Sequence, residues 1–123
     1  MGRKTFESLG CKPLPDRVNI VISTTKKYEN DGVITFESIT TAVEYSKQNF
    51  PDKDLYIIGG GQVYRQCTGL ADEVILTVYD KAYEDVDTYF PAVPETEFRE
   101  EKTLLEGSFE DCKYRTIVLH RVI

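Results

Sequence analysis

The stretch Leu55-Tyr56-Ile57-Ile58-Gly59-Gly60-Gly61-Gln62-Val63-Tyr64 passes from an apolar run through three consecutive glycines into a helical pattern. A run that is apolar on both faces is typical of a strand buried between layers of helices. We therefore predict a buried strand over residues 55–58, a tight bend at the glycines and a short helix over Gly61–Cys67. Three glycines let another backbone approach closely, and their amides can hold a phosphate. An ordinary strand-to-helix turn is the alternative, because the GxGxxG spacing is absent.

The same apolar pattern occurs on both sides of this stretch. Asn19-Ile20-Val21-Ile22-Ser23 and Val74-Ile75-Leu76-Thr77-Val78 read as two more buried strands, and Val33–Phe36 as a further one. Runs of this kind indicate a largely parallel sheet.

Helical patterns lie between these strands. Residues 2–9 form a short helix that Gly10 and the following Pro-rich turn should end. Ser38 can cap a second helix in which Ile39, Ala42, Val43 and Ser46 share one face. Strands that alternate with helices predict an open α/β sheet, which binds ligands beyond the carboxyl ends of its strands.

After Pro91 the pattern changes to polar and apolar alternation. Residues 98–103 and 114–120 alternate in this way, and residues 105–109 should join them. This pattern predicts a terminal antiparallel hairpin or edge pair.

Composition limits the class of protein. The 123 residues fit one domain, residues 1–123, and 41% hydrophobic with 29% charged residues is typical of a globular chain. The net charge of −6 argues against a nucleic-acid-binding surface. No run approaches the roughly 20 apolar residues of a membrane span, so we expect a cytoplasmic protein without membrane contact.

The cysteines and the single histidine have ordinary roles in this interpretation. Cys11, Cys67 and Cys112 are far apart and include no CxxC pair, which predicts free thiols and no metal site. His120 should be structural or face solvent.

Two further segments have the composition of a phosphate-binding surface. Gly2-Arg3-Lys4-Thr5 offers amides and two cations, and Ser23-Thr24-Thr25-Lys26-Lys27 offers hydroxyls and two more cations. Together with the triple glycine they predict a dinucleotide site, and the cations favour NADP over NAD. A solvated turn at the two lysines is the alternative.

Two single residues are candidates for the substrate side. Arg17 follows a Pro-Asp turn and precedes a buried strand, where its guanidinium could grip a carboxylate through two parallel hydrogen bonds. A surface ion pair is the alternative. Thr77 interrupts an apolar strand, so its hydroxyl either bonds to nearby backbone or lines a site.

Read together, these segments resemble dihydrofolate reductase. The resemblance rests on Met1-Gly2-Arg3-Lys4-Thr5-Phe6-Glu7-Ser8, on Pro13-Leu14-Pro15-Asp16-Arg17 with the strand after it, on Ile58 to Tyr64, and on Leu76-Thr77 with Asp87-Thr88-Tyr89-Phe90-Pro91. It implies a three-layer α/β/α fold and the NADPH-dependent reduction of dihydrofolate to tetrahydrofolate in folate and one-carbon metabolism.

The resemblance also implies roles for individual residues. Those expected at the cofactor NADPH are Gly2, Arg3, Lys4, Thr5, Ser23, Thr24, Gly59, Gly60, Gly61, Gln62, Val63 and Tyr64. Those expected at the substrate are Leu9, Leu14, Arg17, Ile58 and Thr77, and Thr77 and Tyr64 would support catalysis.

Relative to the family, the chain is expected to be truncated at its N-terminus. The family has a first central strand, a closing loop and a helix with the catalytic Asp or Glu before the position of Met1. We expect this absence to impair protonation and folding, and expect a monomer if the chain is complete or self-association if it is truncated. The alternatives are a non-catalytic remnant that binds nucleotide or needs a complementing segment, and a related reductase acting on a flavin precursor.

Overall fold

The computed structural model describes residues 1–80, 91 and 93–122. It divides the chain into two compact units, Met1–Cys67 and Thr68–Ile123. The part of the family motif at residues 87–90 lies outside the described residues.

The first unit contains three helices and a parallel strand pair. Its elements are α1 (Arg3–Ser8), β1 (Asn19–Ile22), β2 (Val33–Phe36), α2 (Ile39–Asn49) and α3 (Gly61–Cys67). β1 pairs with β2 in parallel, with Asn19 opposite Val33. The opposite edge of β1 meets Met1 and Gly2, since the Ile22 amide donates to the Met1 carbonyl at 2.8 Å and Gly2 forms a bridge with Ile22.

The ends of the helices follow local sequence signals. Ser38 caps α2, since its Oγ accepts a hydrogen bond from the Thr41 amide at 3.2 Å. α1 ends where Gly10 takes a positive φ of 71°, a conformation that glycine adopts without steric cost. The predicted helices and their stop signals are confirmed.

The core of the first unit gathers around β1. Phe6 of α1 and Val21 of β1 are completely buried, and Met1, Tyr28 and Val33 pack with them. The rings of Phe6 and Tyr28 meet edge to face with their centroids 4.9 Å apart. This packing holds α1 against β1.

The second unit contains an antiparallel sheet. Its strands are β3 (Glu73–Tyr79), β4 (Phe98–Phe109) and β5 (Cys112–Arg121), in the order β3-β5-β4. The register of β4 against β5 is irregular between Glu100 and Lys102 and again between Thr103 and Leu105. The predicted hairpin is confirmed, but its turn is at Glu110 and Asp111, both with positive φ; residues 105–109 belong to β4.

The α/β class is confirmed, whereas one predicted strand is wrong. Residues 55–58 form no strand, and Leu55 and Tyr56 are 43% and 66% exposed. Apolar β-branched side chains favour a strand, but a strand also needs a hydrogen-bonded neighbour, and none is assigned to this segment in the part of the chain that the structure describes. β3, expected to be a buried parallel strand, pairs antiparallel with β5 and leaves most of its side chains exposed.

No helix within the described ranges is both long enough and apolar enough to cross a bilayer.

Candidate functional site

Two glycine segments meet in the first unit. The Gly2 amide donates a hydrogen bond to the Gly59 carbonyl at 2.8 Å. A Cβ on Gly2 would lie 3.3 Å from Cγ2 of Val63 and 3.9 Å from the Gly60 amide nitrogen. We call Gly2, Gly59 and Gly60 the glycine corner, because a side chain at Gly2 would fill the space where the segments approach.

The bend at Gly59 and Gly60 accepts only glycine at its first position. The peptide bond between them is cis, and Gly59 has a φ of 114°, which lies outside the regions open to residues with a Cβ. A Cβ there would lie 3.3 Å from the Tyr64 ring, whereas a Cβ on Gly60 would meet only Oγ1 of Thr5 at 3.5 Å. The bend therefore brings Tyr64 and Thr5 to the glycine corner.

Cationic and hydroxyl side chains lie near this corner. Arg3 follows Gly2 directly, and its Nη1 lies 2.5 Å from Oε1 of Glu7, one helical turn away. Lys4 is exposed. The structure thus leaves Lys4 open to solvent and engages Arg3 with a neighbouring carboxylate.

The predicted hydroxyl segment forms a turn after β1. Oγ of Ser23 accepts hydrogen bonds from the amides of Thr25 and Lys26, at 3.3 and 3.0 Å. Thr24 is exposed. Ser23 follows Ile22, the residue that bridges to Gly2, so this turn is next to the glycine corner.

A mostly apolar cavity of about 360 Å³ lies beside the corner in the same unit. Its polar and charged wall residues besides Arg17 are Asn19, Ser46, Lys53 and Asp54. Leu14 and Arg17 line it, and so does Ile58, which precedes the glycine bend. Further apolar residues of its wall are Met1, Val18, Ile20, Ile22, Ile39, Ala42, Val43, Phe50, Leu55, Tyr56, Ile57, Val63 and Cys67. Three of the five predicted substrate residues therefore share one cavity.

Arg17 is held by its own turn. Its Nε donates to the Pro15 carbonyl at 2.8 Å, and Asp16 between them has a φ of 59°. Among the residues that the structure describes, no ion pair involves Arg17. The ion-pair alternative is therefore not seen in these ranges, and the terminal guanidinium nitrogens can reach a ligand.

Asn19 organises that turn, a role that the sequence did not reveal. The side chain is 3% exposed, and its Oδ1 accepts from the Leu14 amide at 2.9 Å. Its Nδ2 donates to the Leu14 carbonyl at 3.0 Å and to the Arg17 carbonyl at 3.2 Å. A polar residue at the head of an apolar strand was the only available signal.

Burial changes the protonation of a thiol at the cavity wall. Burial raises the pKa of the Cys67 thiol, and the nearby Met1 ammonium partly opposes this shift. The three cysteines are free thiols, as predicted. Cys67 therefore stays protonated to higher pH than an exposed cysteine.

The last two predicted substrate residues, Leu9 and Thr77, belong to different units. Leu9, at the end of α1, is 37% exposed. Thr77 belongs to the second unit, where its Oγ1 lies 2.8 Å from Oγ1 of Thr116; the partner is a side chain, not backbone. His120 is exposed, as predicted.

Comparison with known proteins identifies relatives that match most of this chain. The family model described as "Dihydrofolate reductase" matches residues 1–121. A dihydrofolate reductase of Haemophilus influenzae is 38% identical over 118 residues, which cover 93% of this chain and 70% of that protein. A dihydrofolate reductase of Neisseria meningitidis serogroup A is 40% identical over 115 residues, covering 93% and 68%. Dihydrofolate reductase type 3 of Salmonella typhimurium is 40% identical over 91 residues, covering 74% and 53%.

Proposed function

The chain belongs to the dihydrofolate reductase family, and from that premise we propose that it reduces 7,8-dihydrofolate to tetrahydrofolate with NADPH. The family consists of oxidoreductases of folate metabolism that act on a small molecule with a nicotinamide cofactor. The single match over residues 1–121 supports the proposal that the chain is one domain.

The observation that carries the substrate proposal is the position of Arg17. This cation lines an apolar cavity together with Leu14 and Ile58, and it has no carboxylate partner among the described residues. Dihydrofolate has a hydrogen-bonding pterin ring at one end, an apolar benzoyl ring in the middle and a carboxylate tail at the other end. A guanidinium fork binds such a carboxylate through two charge-assisted hydrogen bonds.

The geometry of the glycine corner is evidence for a pyrophosphate-binding site beside that cavity. A Cβ on Gly2 would be within 3.3 Å of Val63, and a Cβ on Gly59 within 3.3 Å of Tyr64, so these positions offer backbone without side-chain bulk. Ile58 lines the cavity and directly precedes Gly59. Residues that fit the cofactor are therefore contiguous with residues that fit the substrate.

We assign the remaining contacts by residue. Arg3 and Lys4 would pair with the phosphate that distinguishes NADPH from NADH. The corner is completed by Thr5, Ser23, Thr24, Gly61, Gln62, Val63 and Tyr64. Leu9 and Thr77 complete the substrate set. When bound, the nicotinamide would supply the hydride, while this chain's residues bind and orient the two ligands and keep water from the pterin ring.

The test is a pair of titrations on the 123-residue chain. NADPH should bind more tightly than NADH, and dihydrofolate should then oxidise the bound NADPH. Arg17→Gln should weaken dihydrofolate binding about 10- to 100-fold, since a hydrogen bond to a charged group contributes about 1.5–3 kcal/mol. Arg65→Gln, which removes an exposed cation of α3, should not.

Two results would contradict this proposal in different ways. Equal affinity for dihydrofolate in wild type and Arg17→Gln would exclude the carboxylate role. Tight NADPH binding without any dihydrofolate-dependent oxidation would favour the nucleotide-binding alternative over the enzyme.

A further inference from the structure

We infer that Asn19 is a positioning residue that sets the guanidinium of Arg17 for carboxylate binding. This inference rests on the proposed function, because it concerns the same substrate tail. Asn19 is at the cavity wall, and its side-chain hydrogen bonds are made to the turn that carries Arg17.

Asn19 connects the sheet to the turn. Its backbone amide donates to the Gly32 carbonyl at 3.0 Å, which fixes the residue at the edge of the β1–β2 pair. Its side-chain amide then holds Leu14 through both the amide and the carbonyl, and Arg17 through the carbonyl. One buried side chain therefore fixes both ends of the turn to β1.

The turn restrains the guanidinium of Arg17. Arg17 is restrained at its backbone by Asn19, at 3.2 Å, and at its side chain by the Pro15 carbonyl, at 2.8 Å. These two restraints leave the two terminal nitrogens to bind a ligand. A side chain held in its bound geometry loses less rotational freedom on binding, so its contact with a carboxylate is stronger.

The chemistry of the site requires an amide. Asn19 uses one acceptor and two donors, a combination that aspartate and serine do not offer. Aspartate would keep the acceptor, but its second carboxylate oxygen would replace the donor and repel the Leu14 and Arg17 carbonyl oxygens. Alanine would leave the Leu14 and Arg17 backbone groups without these partners, and the turn would sample other conformations.

The experiment compares two ligands on each variant. Folate carries the carboxylate tail, and 6-methylpterin does not. The ratio of the two dissociation constants is insensitive to a partial loss of folded protein, which weakens both equally. In Asn19→Ala the folate Kd should rise about tenfold, equivalent to the roughly 1.4 kcal/mol of one well-placed hydrogen bond, while that of 6-methylpterin stays within about twofold.

Four further variants complete the design. Arg17→Gln should lower the preference for folate, and adding Asn19→Ala to it should cause no further change, because the two residues act through one contact. Asn30→Ala should leave the ratio unchanged; Asn30 is an exposed asparagine whose Nδ2 donates to the Cys11 carbonyl at 3.0 Å. Asn19→Asp, closer in size, should behave like Asn19→Ala.

The outcomes separate this inference from the proposed function. If Arg17→Gln leaves the ratio unchanged, the substrate proposal itself fails. If Arg17→Gln lowers the preference for folate and neither Asn19 variant does, the positioning role is overturned. Equal weakening of both ligands in the Asn19 variants would also overturn it, because the side chain would then serve only the stability of the unit.

Discussion

The backbone amide of Gly2 and the backbone carbonyl of Gly59 are joined by a hydrogen bond of 2.8 Å. This bond connects the residue before α1 to the bend before α3, although 57 positions separate them in sequence. Both helices therefore begin at one point, and changes at either glycine should affect cofactor binding as well as stability.

Gly59→Ala should destabilise the protein by about 1–3 kcal/mol, the usual cost of a residue forced into a sparsely populated backbone conformation. The φ of 114° excludes a side chain, and the new Cβ would press against the Tyr64 ring. Urea unfolding measures the change. Gly69→Ala is the matched control, since a Cβ there meets no atom within 4 Å. Equal effects from both substitutions would contradict the argument.

Glu7→Gln should tighten NADPH binding. Glu7 pairs with Arg3 in a half-exposed ion pair, so the cofactor phosphate that we propose at Arg3 would have to compete with this carboxylate. An exposed pair contributes about 0.2–1 kcal/mol, which corresponds to a gain in affinity of about 1.5- to 5-fold. Titration of NADPH fluorescence at low salt measures it.

The control for Glu7→Gln is Glu44→Gln, which removes the same charge from an exposed position of α2. Its effect on NADPH binding should be much smaller. The gain from Glu7→Gln should decrease at high salt, because screening weakens exposed charge pairs. A gain that is identical for the two variants would show that net charge alone is responsible.

Ser38→Ala should destabilise the protein by about 1 kcal/mol through loss of the α2 cap. Oγ of Ser38 accepts a hydrogen bond from the Thr41 amide, and it also lies 2.7 Å from the Thr41 hydroxyl. Thr40→Ala, at an exposed position inside the same helix, should be neutral or stabilising, because alanine favours helix. Thermal unfolding should show that the two variants shift Tm by amounts that differ in sign or size.

The stability of the fold should decrease at alkaline pH because of Cys67. Burial raises the pKa of this thiol above its ordinary 9.0, so the unfolded chain releases the proton at a lower pH than the folded chain. The contribution of the Cys67 thiol to the free energy of unfolding is complete below the pKa of the thiol in the unfolded chain. It is lost as the pH rises through the pKa of the thiol in the folded protein. Urea unfolding at pH 8 and at pH 10 measures the difference.

Cys67→Ala should remove the part of the loss of stability between pH 8 and pH 10 that is due to this thiol, even if the smaller side chain lowers stability at both pH values. Cys11→Ala is the control, since Cys11 is only half-buried. An unchanged pH dependence in Cys67→Ala would show that another group is responsible.

Local signals in the sequence predicted most of the elements. The cap at Ser38, the stop at Gly10 and the helix Gly61–Cys67 each depend on neighbouring residues, and all three are confirmed. The strand predicted at residues 55–58 is wrong. An apolar pattern shows only that a segment favours burial, whereas a strand also needs backbone hydrogen bonds to a segment elsewhere in the chain. The hairpin turn was misplaced because the alternation of β4 continues further than expected and because Glu110, unlike Asp111, is not a typical turn residue.

The candidate site was predictable in composition but not in its supporting contacts. Glycines, cations and Arg17 were chosen by residue type, and the structure brings Gly2 and Gly59 into contact. The role of Asn19 depends on side-chain geometry across a turn, which no periodic pattern encodes, whereas the Arg3–Glu7 pair has the i,i+4 spacing of helix neighbours and was readable from the sequence. All of the predicted ligand contacts stay predictions, Leu9 and Thr77 included.

The two irregularities in the register of β4 reduce the tendency of this strand to pair with a strand of a second molecule. β4 is one of the two outer strands of the described sheet, and it exposes Leu104, Leu105 and Phe109. Such an edge would be a template for the strand of a second molecule, but interrupted pairing and the charged run from Arg99 to Lys102 make it a poor one. Straightening this strand by deleting one of its extra residues would therefore expose the protein to aggregation.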